Sequence, residues 1–314
     1  MAYDLEKRLV VGLASSALFD LDASDKVFRE KGEAEYRAYQ HEHRLDALAK
    51  GVAFPFIKRL LSINEIQPND PPIEVVLLSR NDPETGLRVM HSIQHYGLSM
   101  TRAAFLQGRV PHKYIPALSI SLFLSANGDD VREAVAAGYP AGQVLPSTHH
   151  DDLSDPELRI AFDFDGVLAD DESEAVFQVS GNVDAFNQHE VGKQDIPHNP
   201  GPLKGLLSKL SAVQKLEESF AASNPNYTPR IRISIVTARG APSHERVINT
   251  MRSWGITVND AFFLGGVEKT KVLKVLNPHM FFDDQRAHLE PAANLLPSVH
   301  VPFGVTNRTS RHDT

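Results

Sequence analysis

The sequence of 314 residues predicts an α/β protein built as two tandem copies of one parallel-sheet domain. Three observations predict it. Short β-branched apolar runs alternate with longer helical patterns, a thirty-residue block recurs later in the chain, and apolar runs of the later copy close on acidic, hydroxyl or lysine residues. Alternating strands and helices imply a parallel sheet covered on both faces, and a recurring block implies a unit that occurs twice.

The elements of the later copy read in order. RIAFDF is a strand, GPLKGLLSKLSAVQKLEESF a helical pattern and RIRISIVT a β-branched strand. SHERVINTMRSWG is a helix ended by Gly255, DAFFLGG a short strand, KTKVLKVL a helix and HMFFDD a strand. The recurring block has no gap: SRNDPETGLRVMHSIQHYGLSMTRAAFLQG, from Ser79, lies over TARGAPSHERVINTMRSWGITVNDAFFLGG, from Thr237. Arg88 falls on Arg246, Gly97 on Gly255, Phe105 on Phe263 and Gly108 on Gly266, and the register holds to Lys113 on Lys271 and Phe123 on Phe281. Glycines and apolar positions are what a repeated unit must keep, because they fix turns and buried faces. The Pro, Ser and Asp residues of PSTHHDDLSDPE mark a linker, dividing the chain into domains 1–150 and 151–314.

Composition narrows the partners. Hydrophobic residues make up 42% and charged residues 23%, with no twenty-residue apolar run, so no membrane partner is expected. A net charge of −8 argues against a nucleic-acid polymer, whose phosphates require clustered Lys and Arg. There is no cysteine, which excludes disulfides and thiolate chemistry and suits the cytoplasm. The apolar stretch LVVGLASSALF imitates a secretory leader, but Asp4 and Glu6 offset Lys7 and Arg8 before it, so export is not expected.

Ligands of open parallel sheets bind at the carboxyl ends of the strands. Four features stand there: Asp163 and Asp165 after RIAF, Thr237 after ISIV, Lys269 after AFFLGG, and Asp283 with Asp284 after HMFF. A lone D-x-D is a weak signal, since Asp20-Leu21-Asp22 is another; the four together resemble the motifs of haloacid dehalogenase-like phosphohydrolases, with the DFDGVL form typical of phosphatases. That resemblance, which covers the second half, implies a Rossmann-like domain. It also implies Asp163 as nucleophile, Asp165 as acid and base, and a phosphate site made by Thr237, Ala238, Arg239 and Lys269. Mg²⁺ is the implied cofactor, with Asp163, Asp165, Asp283 and Asp284 as its candidate ligands. The chemistry is coherent: a carboxylate attacking a phosphate dianion needs cations beside it, and a hard cation takes oxygen ligands. Asp165, two residues along an extended chain, returns to the face of Asp163, from which it can protonate a basic leaving oxygen. Arg239 either binds phosphate or pairs with an acid, and Asp284 could instead orient Asp283. His244, His288 and the His149-His150 pair read as surface histidines.

Further stretches in both halves resemble the type I cytosolic 5′-nucleotidases: SSALFDLD, GVAFPFIKRLLSIN, FLSANGDDVREA, GPLKGLLSKL, VTARG, MRSWG, FFLGG and FFDDQ. The resemblance implies hydrolysis of a nucleoside 5′-monophosphate, AMP or a relative. Residues 172–229 are then expected to form a small cap, with Phe177, Phe186 or Phe220 stacking on the base. In the first copy Ala14 stands for Asp163, Ser16 for Asp165, Pro111 for Lys269, and Ser125 and Ala126 for Asp283 and Asp284, while Ser79 faces Thr237. That copy is expected to be degenerate, serving for packing, a regulatory nucleotide or a homo-oligomer contact. A rival register places Asp20 and Asp22 on Asp163 and Asp165 with Asp129-Asp130 as the metal pair, but Asn127-Gly128 turns the chain before those acids. A phosphatase of another small phosphate ester and a non-enzymatic nucleotide sensor are the competing readings.

Overall fold

The computed structural model describes residues 3–149, 151–152 and 154–307. The first half runs β1 (Leu9–Leu13), α1 (Ser15–Leu18), β2 (Phe19–Asp20), α2 (Asp22–Lys31), α3 (Glu33–Glu42), β3 (Ala49–Lys50), α4 (Phe54–Ser62), β4 (Ile73–Ser79), α5 (Gly86–His95), β5 (Arg102–Phe105), β6 (Leu122–Ser125), α6 (Gly128–Ala136) and β7 (Ala141–Val144). The second runs β8 (Leu158–Phe162), α7 (Glu172–Ser180), α8 (Val183–Gly192), α9 (Lys204–Ser223), β9 (Ile231–Thr237), α10 (His244–Ser253), β10 (Asp260–Phe263), α11 (Lys269–Leu276), β11 (Met280–Asp283), α12 (Arg286–Ala293) and β12 (Ser298–His300).

Ten strands form one mixed sheet in the order β10-β9-β8-β11-β12-β7-β6-β1-β4-β5. Counted outward from the middle, the two halves contribute strands in the same order. Neighbours are parallel except β12 and β7, which pair antiparallel. Because direction reverses there, the carboxyl ends of β8, β9 and β11 open at one edge of the sheet and those of β1, β4 and β6 at the opposite edge. Helices cover both faces. One face carries a continuous core drawing on Leu13, Leu77, Phe162, Ile235, Ile57 and Leu210, so α4 and α9 pack on a surface that spans both halves. The other face is covered by two separate clusters, one around Val10 and Phe123 and one around Phe281 and Leu289. Each fully buried aliphatic side chain there contributes about 1.5–3 kcal/mol.

Sheet register decides between the two alignments of the first half. Leu13 pairs with Leu77 on β4, as Phe162 pairs with Ile235 on β9, so Ala14 takes the position of Asp163. Asp20 and Asp22 lie beyond it, exposed, and Asp130 is tied to Arg80 at the start of α6. The rival register therefore fails.

Within 172–229 two short helices, α7 and α8, form a hairpin, and α9 then returns to the sheet with Leu206, Leu207, Leu210 and Val213 buried. The first half carries an equivalent hairpin, α2 and α3, which its charge-rich sequence conceals. The chain rejoins the core through Gly51 in one half and Gly201 in the other, where a Cβ would lie 2.8 Å from the Leu18 carbonyl carbon and 2.3 Å from the Ala169 oxygen. Only glycine fits that approach.

Candidate active site

The carboxyl ends of β8, β9 and β11 and the α7–α8 hairpin enclose a cavity of about 390 Å³, within the range of small-molecule sites. On its floor Asp163 is buried, its Oδ1 accepting from the Phe164 amide at 2.8 Å and its Oδ2 2.8 Å from Lys269 Nζ. Lys269 opens α11 and also reaches Asp283 Oδ2 at 2.7 Å. Asp283 ends β11 with its Oδ1 held by the Gln285 amide at 2.8 Å. Thr237, the last residue of β9, is buried against the cavity, and its Oγ1 accepts the Arg239 amide at 3.2 Å. Ala238 lines the same wall.

Two buried carboxyl groups, Asp163 and Asp283, share one ammonium here, and a third, Asp284, is buried beside them. Burial pushes Asp163 up to about 7 against the pull of Lys269, with Asp283 and Asp165 adding to the rise. Asp284 is pushed up to about 8 by burial and by the charges of Asp163 and Asp283. Its Oδ2 accepts from Thr306 Oγ1 at 2.7 Å, and among the described residues its Oδ1 is buried without a hydrogen-bond partner. Gly166, at φ +68°, makes room, since a Cβ there would lie 2.7 Å from the Asp284 carboxyl. Asp163, Asp283 and His288 each place a ligand atom within 4.8 Å of the others. This donor set, anionic oxygens with one imidazole and an orphaned carboxylate oxygen alongside, fits a divalent cation.

Two expectations change. Asp165 does not join that cluster: both its oxygens are taken by Arg239, Nε at 2.7 Å and Nη2 at 2.6 Å. A guanidinium fork matches a carboxylate in two parallel bonds, which outcompetes a position beside Asp283. For the same reason Arg239 resolves as an acid partner, its Nη1 bonding Glu190 of α8. His288 is not a plain surface histidine, because its Nδ1 lies 3.2 Å from both oxygens of Asp283. Its signal was faint: a histidine one helical turn past the acidic pair. His149 lies outside this cluster, and His150 lies outside the described residues.

The roof comes from the hairpin. Phe177 and Phe186 face the cavity with ring centroids 6.4 Å apart, edge to face, beside Glu174 and Asn187. Phe220 sits elsewhere, on α9 against Tyr227 at 5.0 Å. A second buried network passed unseen in the sequence. Glu190 accepts from Arg246 Nη1 at 2.9 Å and from Ser173 Oγ at 2.8 Å, and His198 Nε2 lies 3.3 Å away. Burial opposes its ionisation, yet His198 and Arg239 hold it well below the usual carboxylate range. Glu172 has the same balance: burial is outweighed by Lys193 and Arg246, which hold it at about 2.

Sequence comparison places this geometry. The family model for 5′-nucleotidase matches residues 1–308. The chain belongs to the 5′-nucleotidase family. Human cytosolic 5′-nucleotidase 1B is 34% identical over 293 residues, which is 91% of this chain and 47% of that protein. The chain thus spans about half the length of this family relative. No solved structure shows a significant match. Among the described residues no helix is long and apolar enough to cross a membrane.

Proposed function

We propose that the chain hydrolyses nucleoside 5′-monophosphates, AMP or a close relative, to nucleoside and phosphate in the cytoplasm. The observation that carries the reading is a nucleophile-ready carboxylate at the end of β8, salt-bridged to Lys269 at 2.8 Å, in a cavity roofed by two phenylalanines. An Asp163 oxygen attacks phosphorus, forming an acyl phosphate as the P–O5′ bond breaks. Asp165, protonated on an oxygen that has released its bond to Arg239, gives that proton to the departing 5′ oxygen, then takes one from the water that attacks the aspartyl-phosphate, releasing phosphate and restoring Asp163. The Thr237 hydroxyl and the Ala238 side of the loop hold phosphate oxygens, and Lys269 offsets the charge gathered at phosphorus. Asp163, Asp283 and Asp284, with His288 close by, would hold Mg²⁺, whose chemistry is to neutralise phosphate charge and orient it. Phe177 and Phe186 offer aromatic faces to the base.

The same reading treats the two halves as tandem copies, 1–150 and 151–314. The first keeps the frame but not the acids, so it is a degenerate partner to the catalytic copy. Activity against a panel of nucleoside monophosphates and sugar phosphates, with Mg²⁺ and with EDTA, tests the proposal. Expected is turnover of nucleoside 5′-monophosphates that EDTA removes and Mg²⁺ restores. Preference for a sugar phosphate would move the reading to another phosphate ester, and binding without turnover would make the chain a sensor.

A further inference from the structure

We infer that Arg239 and Glu190 are positioning residues that fix the carboxylate of Asp165 and tie it to the α7–α8 hairpin. The inference rests on the reading of Asp165 as the proton carrier. The chain of contacts is direct: Asp165 is gripped through both oxygens by Arg239, and the remaining arm of the guanidinium is held by Glu190 from α8. The side chains of Arg239 and Glu190 are 2% and 0% exposed, while Asp165, at 16%, faces the cavity. A rigid fork of this kind sets direction as well as distance, which a proton carrier requires and a flexible lysine could not supply.

The first half acts as an internal control. Its hairpin docks by the same bonds: Arg88 Nε donates to the Asp46 carbonyl at 3.0 Å, as Arg246 Nε does to Ile196 at 2.9 Å. Ser92 Oγ accepts the Leu48 amide at 2.9 Å, as Thr250 Oγ1 accepts that of His198 at 3.0 Å. Arg88 Nη1 reaches Gln40 at 3.3 Å, where Arg246 Nη1 reaches Glu190. Seating the hairpin therefore requires the docking arginine but not a charged partner for it. What disappears along with the nucleophile is the whole triad, since Ser16, Asn81 and Gln40 replace Asp165, Arg239 and Glu190. Burying an ion pair brings little net stability, so a triad kept only beside the live carboxylate marks function. Three of the five N–H donors of Arg239, one each on Nε, Nη1 and Nη2, are engaged by carboxylates.

The test is the double variant Glu190→Gln/Arg239→Asn, which copies the Gln40 and Asn81 of the first half and keeps the local charge balanced. The readout is the single-turnover rate of leaving-group release, the step before the aspartyl-phosphate hydrolysis that all substrates share, and its half-saturating concentration, for AMP, whose leaving alkoxide needs a proton, against p-nitrophenyl phosphate, whose leaving phenolate does not. Expected is a fall of roughly 10²-fold in the release rate for AMP, the low end of what general acid catalysis supplies. The release rate for p-nitrophenyl phosphate and both half-saturating concentrations should stay within about threefold, as for loss of an interaction made only in the transition state of the AMP release step. Asp165→Asn should show the same selectivity, and adding the double variant to it should cost nothing more. Equal losses of release rate on both substrates, an unchanged release rate for AMP, or a rise in the half-saturating concentration alone would overturn the inference. Should the double variant melt early by circular dichroism, Arg239→Lys, which keeps the charge and loses the fork, is read by the same criteria. Asp163→Asn separates the levels: turnover in that variant sinks the mechanism itself, whereas a dead Asp163→Asn beside a wild-type-like double variant sinks only the positioning role.

Discussion

The two halves of the molecule share a frame and differ at the strand ends. Both run their strands in one order, seat a helix hairpin by the same arginine, and rejoin the sheet through a glycine that no other residue could replace. Where the second half ends its strands in Asp163, Thr237 and Asp283, the first ends them in Ala14, Ser79 and Ser125. Ser15 and Ser79 satisfy each other there, hydroxyl to hydroxyl at 3.2 Å. The frame does not need the acids. They are a burden on it, with three carboxyl groups buried around a single ammonium, and a feature that costs folding energy and persists in one half alone belongs to function.

The largest effect that can break this comparison is loss of the proposed nucleophile. Asp163→Asn is expected to lower kcat on the order of 10⁴-fold or more, as removal of other enzymic nucleophiles does. Its melting temperature should equal or exceed that of the native chain, because a neutral amide replaces a carboxyl group that burial pushes up to about 7. Steady-state turnover together with thermal melts checks both parts. A variant that is inactive because it is unfolded would contradict the claim that the acids are dispensable to the frame.

Removing the cation instead of the anion should do the opposite to stability. Lys269→Met leaves Asp163 and Asp283 buried without their shared partner, an error that typically costs about 3–5 kcal/mol. The first half stands Pro111 at this place and has no carboxylates to offset. Urea denaturation should therefore show a large loss in the single variant and a smaller one in Lys269→Met/Asp163→Asn, a coupling that a double-mutant cycle measures. Equal losses would mean that the ammonium is held for packing alone.

Much of this was legible in the sequence, for physical reasons that can be named. Strand ends are readable because apolar runs stop abruptly, which marks Asp163, Thr237 and Asp283, whereas Lys269 stands past the end of its strand and opens α11. The block from Ser79 exposed the matching halves because glycines and core residues tolerate little change. The hairpins were harder. DASDKVFREK and EAEYRAYQHE carry no apolar stripe, since they bury few side chains, and the matching pair in the second half was read only as an undivided stretch. Partners that meet through space were beyond reach: nothing near Glu190 in the chain announces Arg239, Arg246 and His198. Nor could local pattern show that β7 and β12 pair antiparallel and join the strands of both halves into one sheet.

The smallest effect concerns the seam between the halves. Arg59 of α4 binds the Asp151 carboxylate at 2.7 Å and the carbonyls of Asp152 and Asp155, pinning the connector beneath β11. His279 lies in this seam, its Nδ1 accepting the Arg159 amide at 3.0 Å and its Nε2 3.7 Å from Asp151, where the first half has Ser121. Burial, then the charges of Arg59 and Arg159, push His279 down to about 4, against the opposing pull of Asp151 and Asp155. The unfolded chain takes up this proton near the usual 6.5, so the neutral imidazole contributes stability that is complete above that pH and is lost as pH falls towards 4. By pH 5 the loss amounts to about 2 kcal/mol. His279→Asn keeps an acceptor for the Arg159 amide and removes the titration. Urea denaturation at pH 7 and pH 5 should show a smaller pH-dependent loss in the variant than in the native chain, by about that amount. Identical losses would show that the seam admits the proton, and that the second half tolerates charge there as readily as the first tolerates serine.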